Sequence, residues 1–231
     1  MLVHPFPLLR QFSERLDITL FTKEDRMKTD EDALKLFGAE QGASVNQVHG
    51  NKTIIVSEPT SRTEEADGML TSQTELALIV RAADCQNFVF YAPRQNVLGV
   101  LHAGWKGLVA GAIPAFFEVL HSTWDTHPKD IYIGAGPSLC QKCAEFSDPE
   151  RELDGLPKKF FKGRNADLQS IADMQLLEAG VLPQHIERSP DCTKCLADKY
   201  FSYRGGDKED VLTGLSNFLV CKLRKIEVRK M

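Results

Sequence analysis

The sequence predicts an α+β fold with a mixed β-sheet and flanking helices. Several apolar β-like runs follow one another directly, and segments with helical spacing occur between them at irregular intervals. A regular alternation of strands and helices would instead indicate a parallel α/β sheet. The length of 231 residues suits one domain, which we expect to span residues 1–231.

The first half of the chain carries clear local signals. Residues 17–22 have the apolar and β-branched side chains of a strand. Residues 30–37 predict a helix that ends at Gly38. The remaining apolar runs predict strands at residues 53–56, 76–80, 88–91 and 97–101.

A longer helical pattern follows these strands. Apolar side chains recur at helical spacing over residues 108–124, and Pro114 predicts a kink or a broken first turn there. Residues 131–133 then predict a short strand that ends in a glycine-rich turn.

The last third contains one further helix and one further β-like segment. Asn165 is placed to cap a helix over residues 168–179, and Gly180 lies just past its end. Residues 211–228 have β-like apolar residues, and their interleaved Lys and Arg indicate a strand with a solvated face.

Composition and charge exclude several classes of protein. Hydrophobic residues make up 42% and charged residues 26% of the chain, as in soluble globular proteins. The 28 Lys and Arg against 32 Asp and Glu lack the basic excess of nucleic-acid binders. No signal peptide is recognisable, and no apolar run reaches the about 18–20 residues of a membrane helix. We therefore expect a cytoplasmic protein with reduced cysteines and with no nucleic-acid or membrane partner.

Three residues are candidate ligands of one metal ion. His49, Cys85 and His102 each lie at or beside the end of a predicted β-run, so they could converge although they are separated in sequence. Two imidazoles and a thiolate suit Zn²⁺, and three protein ligands leave a fourth position for water or substrate. The alternative is structural, because a buried Cys or a His beside a glycine is common without a metal.

Residues next to these ligands could complete the site. Asp84 could orient a ligating histidine, or it could cap a turn. Gly104 and Gly107 precede a helix, so backbone N–H groups there could hold a phosphate, with Lys106 adding positive charge. Two glycines before a helix also fit an ordinary turn.

A second group of cysteines has the spacing of a structural metal site. Cys140 and Cys143 form one C-x₂-C motif, and Cys192 and Cys195 form another. The 48 residues between the motifs exceed the about 15–20 of a compact zinc ribbon. A four-cysteine zinc or iron–sulfur site and a set of incidental thiols both remain open.

Seven short motifs, taken in order, resemble the YfiH-type laccase-domain family over about residues 15–220. The motifs are Gln47-Val-His-Gly50, Ala66-Asp-Gly68, Ala83-Asp-Cys85, His102-Ala-Gly-Trp-Lys-Gly107, Gly136-Pro-Ser138, Asp191-Cys-Thr193 and Phe201-Ser-Tyr-Arg204. The resemblance implies an α+β fold shared with toxin-like Cys–His domains. It also implies one zinc ion on His49, Cys85 and His102. The implied activity is phosphorolysis of adenosine, inosine, guanosine and methylthioadenosine, together with adenosine deamination.

The chain departs from the family pattern at three places. The family has a Thr-Arg-Gly-Gly segment where this chain has the shortened residues 21–26, so the expected arginine is at best Lys23 or Arg26. Residues 81–82 are Arg-Ala where the family favours smaller residues and Thr, and the usual Thr-Gly-Arg is Thr213-Gly-Leu215. These changes leave the three ligands in place but affect the expected contacts to substrate and phosphate.

The first functional hypothesis is therefore a zinc-dependent purine nucleoside phosphorylase with adenosine deaminase activity. Zinc lowers the pKa of a bound water toward about 7, which suits deamination. Lys106 would balance the charge of phosphate. Gln47 and Asp84 would orient ligands or substrate.

Three alternatives remain. A copper polyphenol oxidase fits a His₂Cys site, but the six histidines include no His-x-His pair of the kind that multicopper oxidases use. A metal-free hydrolase would use Cys85 as nucleophile with His102 or His49 as base. A degenerate family member without catalysis would be a scaffold.

Overall fold

A computed structural model of the chain describes residues 1–225. These residues contain fourteen strands and seven α-helices. The strands form two six-stranded sheets and a two-stranded ribbon. The strands are β1 Leu2–Val3, β2 Leu16–Phe21, β3 Gln41–Asn46, β4 Thr53–Ile55, β5 Thr60–Glu65, β6 Gly68–Thr71, β7 Leu76–Ala82, β8 Gln86–Ala92, β9 Val97–Ala103, β10 Tyr132–Ala135, β11 Phe161–Lys162, β12 Asn165–Ala166, β13 Ile186–Arg188 and β14 Asn217–Leu223. The helices are α1 Pro7–Arg10, α2 Asp30–Phe37, α3 Trp105–Val109, α4 Ala112–Trp124, α5 Pro149–Glu152, α6 Leu168–Glu178 and α7 Lys208–Leu212.

Both large sheets are mixed, which confirms the predicted fold class. The first has the order β1-β2-β14-β7-β3-β5, with β3 parallel to both of its neighbours. The second has the order β13-β10-β8-β9-β6-β4, with parallel pairs at its two edges. The apolar runs that are consecutive in the sequence do not all pair with one another. β7 lies in the first sheet, and the turn after it leads to β8 in the second sheet.

The two sheets pack face to face, and helices cover their outer faces. Leu78 and Val80 of β7 join Val89 and Val100 of the second sheet in one buried cluster. On the opposite face of β7, Ile79 packs in the cluster that contains α2 residues. The outer face of the second sheet packs against α4 and α6. The central strands are therefore buried on both faces, which explains their continuous apolar sequences.

The predicted helix over residues 108–124 is in fact two helices. The chain leaves α3 after Val109, and Gly111 takes the left-handed conformation, with φ 74°, before α4 begins. Pro114 lies in the first turn of α4, where an N–H has no partner within the helix. The break therefore precedes the proline instead of lying at it.

The prediction that Asn165 caps α6 is also wrong. Asp167 is the N-cap, and its carboxylate accepts a hydrogen bond from the backbone N–H of Ser170 at 3.1 Å. Asn165 belongs to β12 instead. The end of the helix agrees with the sequence, since Gly180 follows it with φ 100°.

The predicted strand over residues 211–228 differs most from the structure. Val211 and Leu212 lie in α7, and the strand itself, β14, runs between β2 and β7 in the first sheet. Its residues are buried on both faces, so it has no solvated face, and Lys222 reaches Glu75 at 2.7 Å. Residues 226–228 of the predicted segment lie outside the described residues.

No α-helix within residues 1–225 combines the length and the apolar character that a membrane crossing requires.

Candidate metal centre

Three chain segments meet at one end of the sheet sandwich and bring the predicted ligands together. His49 follows β3, Cys85 lies in the turn between β7 and β8, and His102 is near the end of β9. Their ligand atoms all lie within 4.8 Å of one another. The two imidazole rings meet edge to face, with centroids 4.8 Å apart. The structure thus groups the three residues, while their role as metal ligands remains a prediction.

A buried carboxylate, Asp67, organises the two histidines. It is only 1% exposed and lies 2.8 Å from Nδ1 of His102. The backbone N–H groups of His49 and Gly50 donate to the same carboxylate at 3.0 and 2.7 Å. His49 has φ 62°, and these hydrogen bonds hold it in that costly left-handed conformation. Asp67 therefore fixes both the ring of His102 and the turn that carries His49.

Asp67 carries no predicted role from the sequence, although it lies in the motif Ala66-Asp-Gly68. The available signal was a charged residue directly before the buried strand β6. A buried carboxylate needs partners, and a histidine that binds a metal commonly donates its other N–H to one. The partner itself, His102, lies 35 residues away in the sequence.

Charge within the cluster favours a thiolate. Burial raises the pKa of Cys85, but the positive charge of His102 and hydrogen bonds from both histidines outweigh it and lower the pKa to about 6. Burial lowers the pKa of His102, but Cys85 and Asp67 outweigh it and raise the pKa to about 9. The thiolate is the form of cysteine that binds metals.

The glycines before and within α3 have a packing role. A Cβ on Gly104 would lie 2.8 Å from Sγ of Cys85 and 3.1 Å from Cδ2 of His49. A Cβ on Gly107 would lie 3.1 Å from the carbonyl oxygen of Gly50. The close approach of α3 to the cluster therefore requires glycine at position 104. The predicted phosphate cradle at this turn stays a prediction.

Asp84 follows the second of its two sequence-based alternatives, because its carboxylate ties a turn and does not bond to a histidine. Its carboxylate accepts hydrogen bonds from the hydroxyls of Thr193 and Ser202, at 2.7 and 2.6 Å, and from the backbone N–H of Arg204 at 2.7 Å. Its own φ of 98° is left-handed. Asp84 thus ties the turn that contains Cys85 to the loop that follows β13, and Asp67 takes the role expected of Asp84.

Gln47 also bonds to backbone groups. Its amide donates to the carbonyl oxygen of Arg81 at 2.8 Å and accepts from the N–H of Arg81 at 3.0 Å. The guanidinium of Arg81 is held in turn by Asp30 and lies over the ring of Phe218. Gln47 therefore fixes the backbone of Arg81 near the end of β7.

A pocket of about 700 Å³ opens beside the three candidate ligands. Its lining includes one lysine and three arginines, namely Lys106, Arg62, Arg81 and Arg204. Trp105 and Tyr203 add aromatic surface, and Gln47 and Asp84 line it as well. A pocket of this size suits a small-molecule ligand, and its basic lining favours an anionic one.

The residues that stand where the family has its arginine do not line this pocket. Lys23 forms an ion pair with Asp207 at 2.7 Å and also donates to the carbonyl oxygen of Ala197. Arg26 has φ 51° at the end of a short turn. Neither Lys23 nor Arg26 lines the 700 Å³ pocket, and Leu215 does not line it either, among the described residues.

The second cysteine group is also assembled. The sulfur atoms of Cys140, Cys143, Cys192 and Cys195 all lie within 4.8 Å of one another. The fold therefore brings the two C-x₂-C motifs together across the 48 intervening residues, while a metal ion at this cluster stays a prediction.

Comparison with known proteins identifies the family. The family described as multi-copper polyphenol oxidoreductase laccase matches residues 16–220. Purine nucleoside phosphorylase ORF3 of Streptomyces griseus is 34% identical over 169 residues, which are 69% of this chain and 67% of that protein. Purine nucleoside phosphorylase YlmD of Geobacillus stearothermophilus is 31% identical over 150 residues, 60% of this chain, and the match spans only 54% of YlmD.

Solved structures agree in fold. The crystal structure of the hypothetical protein YfiH of Bacillus licheniformis has a TM-score of 0.78 at 20% identity, and the match covers 94% of each chain. The crystal structure of YlmD from Geobacillus stearothermophilus has a TM-score of 0.76 at 22% identity, and covers 95% of this chain and 94% of that one. From the residues matched and from this fold, the chain belongs to the YfiH-type laccase-domain family.

Proposed function

We propose that the protein is a zinc-dependent purine nucleoside phosphorylase. The observation that carries the proposal is the grouping of His49, Cys85 and His102 on the wall of a basic pocket of about 700 Å³. The names of the relatives ORF3 and YlmD, both purine nucleoside phosphorylases, support the same reaction class.

The donor set fits zinc. With Nδ1 of His102 bonded to Asp67, Nε2 is the nitrogen left for an ion, which would displace the Nε2 proton, and Cys85 supplies a thiolate. His49 completes a set of three ligands, which is typical of catalytic zinc sites. When bound at such a site, zinc stabilises negative charge that develops during a reaction.

The basic residues of the pocket would hold phosphate. In phosphorolysis an oxygen of phosphate bonds to the anomeric carbon of the ribose, the bond from that carbon to the purine nitrogen breaks, and the purine leaves with the electron pair. Lys106 and the arginines of the pocket would balance the charge of phosphate before and during this step. Gln47 would keep Arg81 in place for this purpose. Trp105 and Tyr203 offer aromatic surface on which a purine could stack.

The proposal extends to particular substrates. We expect adenosine, inosine, guanosine and methylthioadenosine to be cleaved, and adenosine also to be deaminated. A reducing compartment such as the cytoplasm suits the site, because thiolate ligands need reduced cysteines and all six cysteines of the chain are free.

The test is turnover of adenosine by purified protein with and without phosphate, together with metal analysis. We expect adenine and ribose 1-phosphate only when phosphate is present, and inosine in either case. A Cys85→Ser variant, in which Asp67 and the pocket remain, is the matched control. Oxidation of phenols by a copper-loaded protein would support the oxidase instead. Turnover without bound metal would support the metal-free hydrolase with Cys85 as nucleophile. No turnover of any nucleoside would contradict the proposal.

A further inference from the structure

We propose that Cys140, Cys143, Cys192 and Cys195 bind one structural zinc ion that joins two loops of the pocket wall. Sγ of Cys195 lies 3.5 Å from Sγ of Cys143 and 3.9 Å from Sγ of Cys140. Zinc–sulfur bonds of about 2.3 Å in a tetrahedral site place neighbouring sulfur atoms about 3.8 Å apart. The cluster therefore already has the dimensions of a closed four-thiolate zinc site.

The arrangement fits a single ion better than an iron–sulfur cluster. A cluster spreads its four cysteine ligands over several iron atoms, which moves the sulfur atoms apart. Here all four sulfur atoms lie within 4.8 Å of one another. Four thiolates with no open position are typical of structural zinc, and soft thiolate ligands suit it.

Two disulfide bonds would not produce this arrangement. Disulfides would join the cysteines in separate pairs, whereas Cys195 has two close sulfur neighbours here. The sulfur of Cys192 in addition accepts a hydrogen bond from the backbone N–H of Cys140 at 3.3 Å. Each motif thus contacts the other through more than one cysteine, as ligands of a shared ion do.

The backbone of both motifs is folded for this role. The N–H groups of Cys143 and Ala144 donate to the carbonyl oxygen of Cys140, which closes a tight turn around the first motif. The N–H of Leu196 donates to the carbonyl oxygen of Cys192 in the second. Ser138 and Cys192 form a parallel β-bridge, which brings the two turns side by side.

The ion would cross-link two loops that both line the pocket. The first loop contributes Leu139, and the second contributes Tyr203 and Arg204. Arg204 returns to the first loop, where it donates to the carbonyl oxygen of Glu145 and lies 5.1 Å from the ring of Phe146. Zinc at one end and Arg204 at the other would hold the wall in a single arrangement.

The second loop is also attached to the candidate metal centre. Thr193, next to Cys192, donates to Asp84, and Asp84 precedes Cys85 in the same turn. Loss of the four-cysteine ion would therefore loosen the position of Arg204 without removing a ligand of the first site.

The decisive experiment uses the Cys85→Ser variant, because it leaves the four-cysteine cluster intact. We expect two zinc ions per chain in the wild type and one in Cys85→Ser, measured by elemental analysis. X-ray absorption at the zinc edge of Cys85→Ser should show four sulfur ligands at about 2.3 Å. A folded Cys85→Ser protein without zinc, with iron in its place, or with two disulfides by mass spectrometry of the unreduced chain would overturn the proposal.

A complementary variant removes the second site. Cys140→Ser/Cys195→Ser should retain one zinc ion, melt at a lower temperature and show a higher KM for phosphate. Cys221→Ala, which changes a buried cysteine outside both clusters, should keep two zinc ions. If the double variant does not fold, the sulfur count in Cys85→Ser still decides. These metal counts do not depend on the proposed phosphorylase activity, so either proposal can fail alone.

Discussion

The two candidate metal-binding clusters of this protein differ in where their residues lie and in what surrounds them. The first takes His49, Cys85 and His102 from the ends of strands and is supported by the buried carboxylate of Asp67. The second takes four cysteines from two loop turns, and Cys195 among them is exposed. The first lines the pocket, whereas none of the four cysteines of the second does.

Cysteine would have a different use in each cluster. Three ligands at or beside strand ends would leave one coordination position directed at a pocket, which is the arrangement of a catalytic ion. Four ligands on loops would leave no open coordination position for water or substrate, so the ion would only hold the loops together. Cysteine content alone cannot distinguish these uses, while the number of histidine partners and the supporting carboxylate can.

The largest expected effect is on the first cluster. His49→Ala, Cys85→Ala and His102→Ala each leave two ligands, too few to hold zinc tightly. We expect each single variant to lose phosphorolysis and deamination together, and double variants to be hardly worse, because residues that act as one unit are not additive. Steady-state kinetics and zinc content of the six variants measure this. Normal zinc content and turnover in Cys85→Ala would show that the three residues do not share an ion.

A smaller but still large effect is expected at Asp67. Asp67→Asn preserves the shape of the side chain but turns an amide N–H₂ group toward backbone N–H groups that now donate to the carboxylate. We expect zinc affinity or activity to fall by about 10- to 100-fold, as for other residues that support a ligand.

Asp84→Asn is the matched control for Asp67→Asn. It also removes a buried carboxylate beside the site, but the carboxylate contacts Thr193, Ser202 and Arg204. We expect it to lower thermal stability and to leave zinc affinity near the wild-type value. Equal losses of zinc affinity in both variants would contradict the separate roles of the two aspartates.

The approach of α3 to the first cluster gives an intermediate effect. Gly104→Ala places a methyl group 2.8 Å from Sγ of Cys85, so the cluster must shift. Overpacking of this kind costs about 1–3 kcal/mol. If the zinc-bound state alone is destabilised by this amount, zinc affinity falls by about 5- to 150-fold. Gly50→Ala is the control, because its methyl group would have its nearest contact at 3.6 Å. Zinc titration with a competing chelator compares the two, and unchanged affinity in Gly104→Ala would show that the cluster tolerates displacement.

Local signals predicted much of the fold. Asp30–Phe37 forms the expected helix, with Thr29 as N-cap and Gly38 at φ 80° as its end. Those features depend on neighbouring residues and are therefore readable from the chain. The position of β14 depends instead on β2 and β7, which are distant in sequence. The Lys and Arg in and after this strand therefore suggested a solvated face, whereas the strand is buried.

The candidate site shows the same limit. Residue type and position at strand ends indicated His49, Cys85 and His102, and the family resemblance supported them. The role of Asp67 could not be predicted, because Asp84 is next to Cys85 in the sequence whereas Asp67 is 35 residues from His102. Only the folded packing decides which carboxylate reaches a ring.

The smallest expected effect tests whether the pocket beside the first cluster binds phosphate. Lys106 is exposed at the start of α3, with its ammonium 5.5 Å from the ring of Trp105, and it lines the pocket. An exposed charge of this kind contributes about 1 kcal/mol or less, so Lys106→Ala should raise the KM for phosphate by up to about 5-fold. Deamination of adenosine consumes water instead of phosphate and should change little.

The control is Lys129→Ala, which changes an exposed lysine outside the pocket and should leave both reactions unchanged. Product ratios from adenosine over a phosphate series measure the difference. An equal loss of both reactions in Lys106→Ala would remove Lys106 from phosphate binding, and because Lys106 is no part of the three-ligand cluster, the zinc content of the variant should remain that of the wild type.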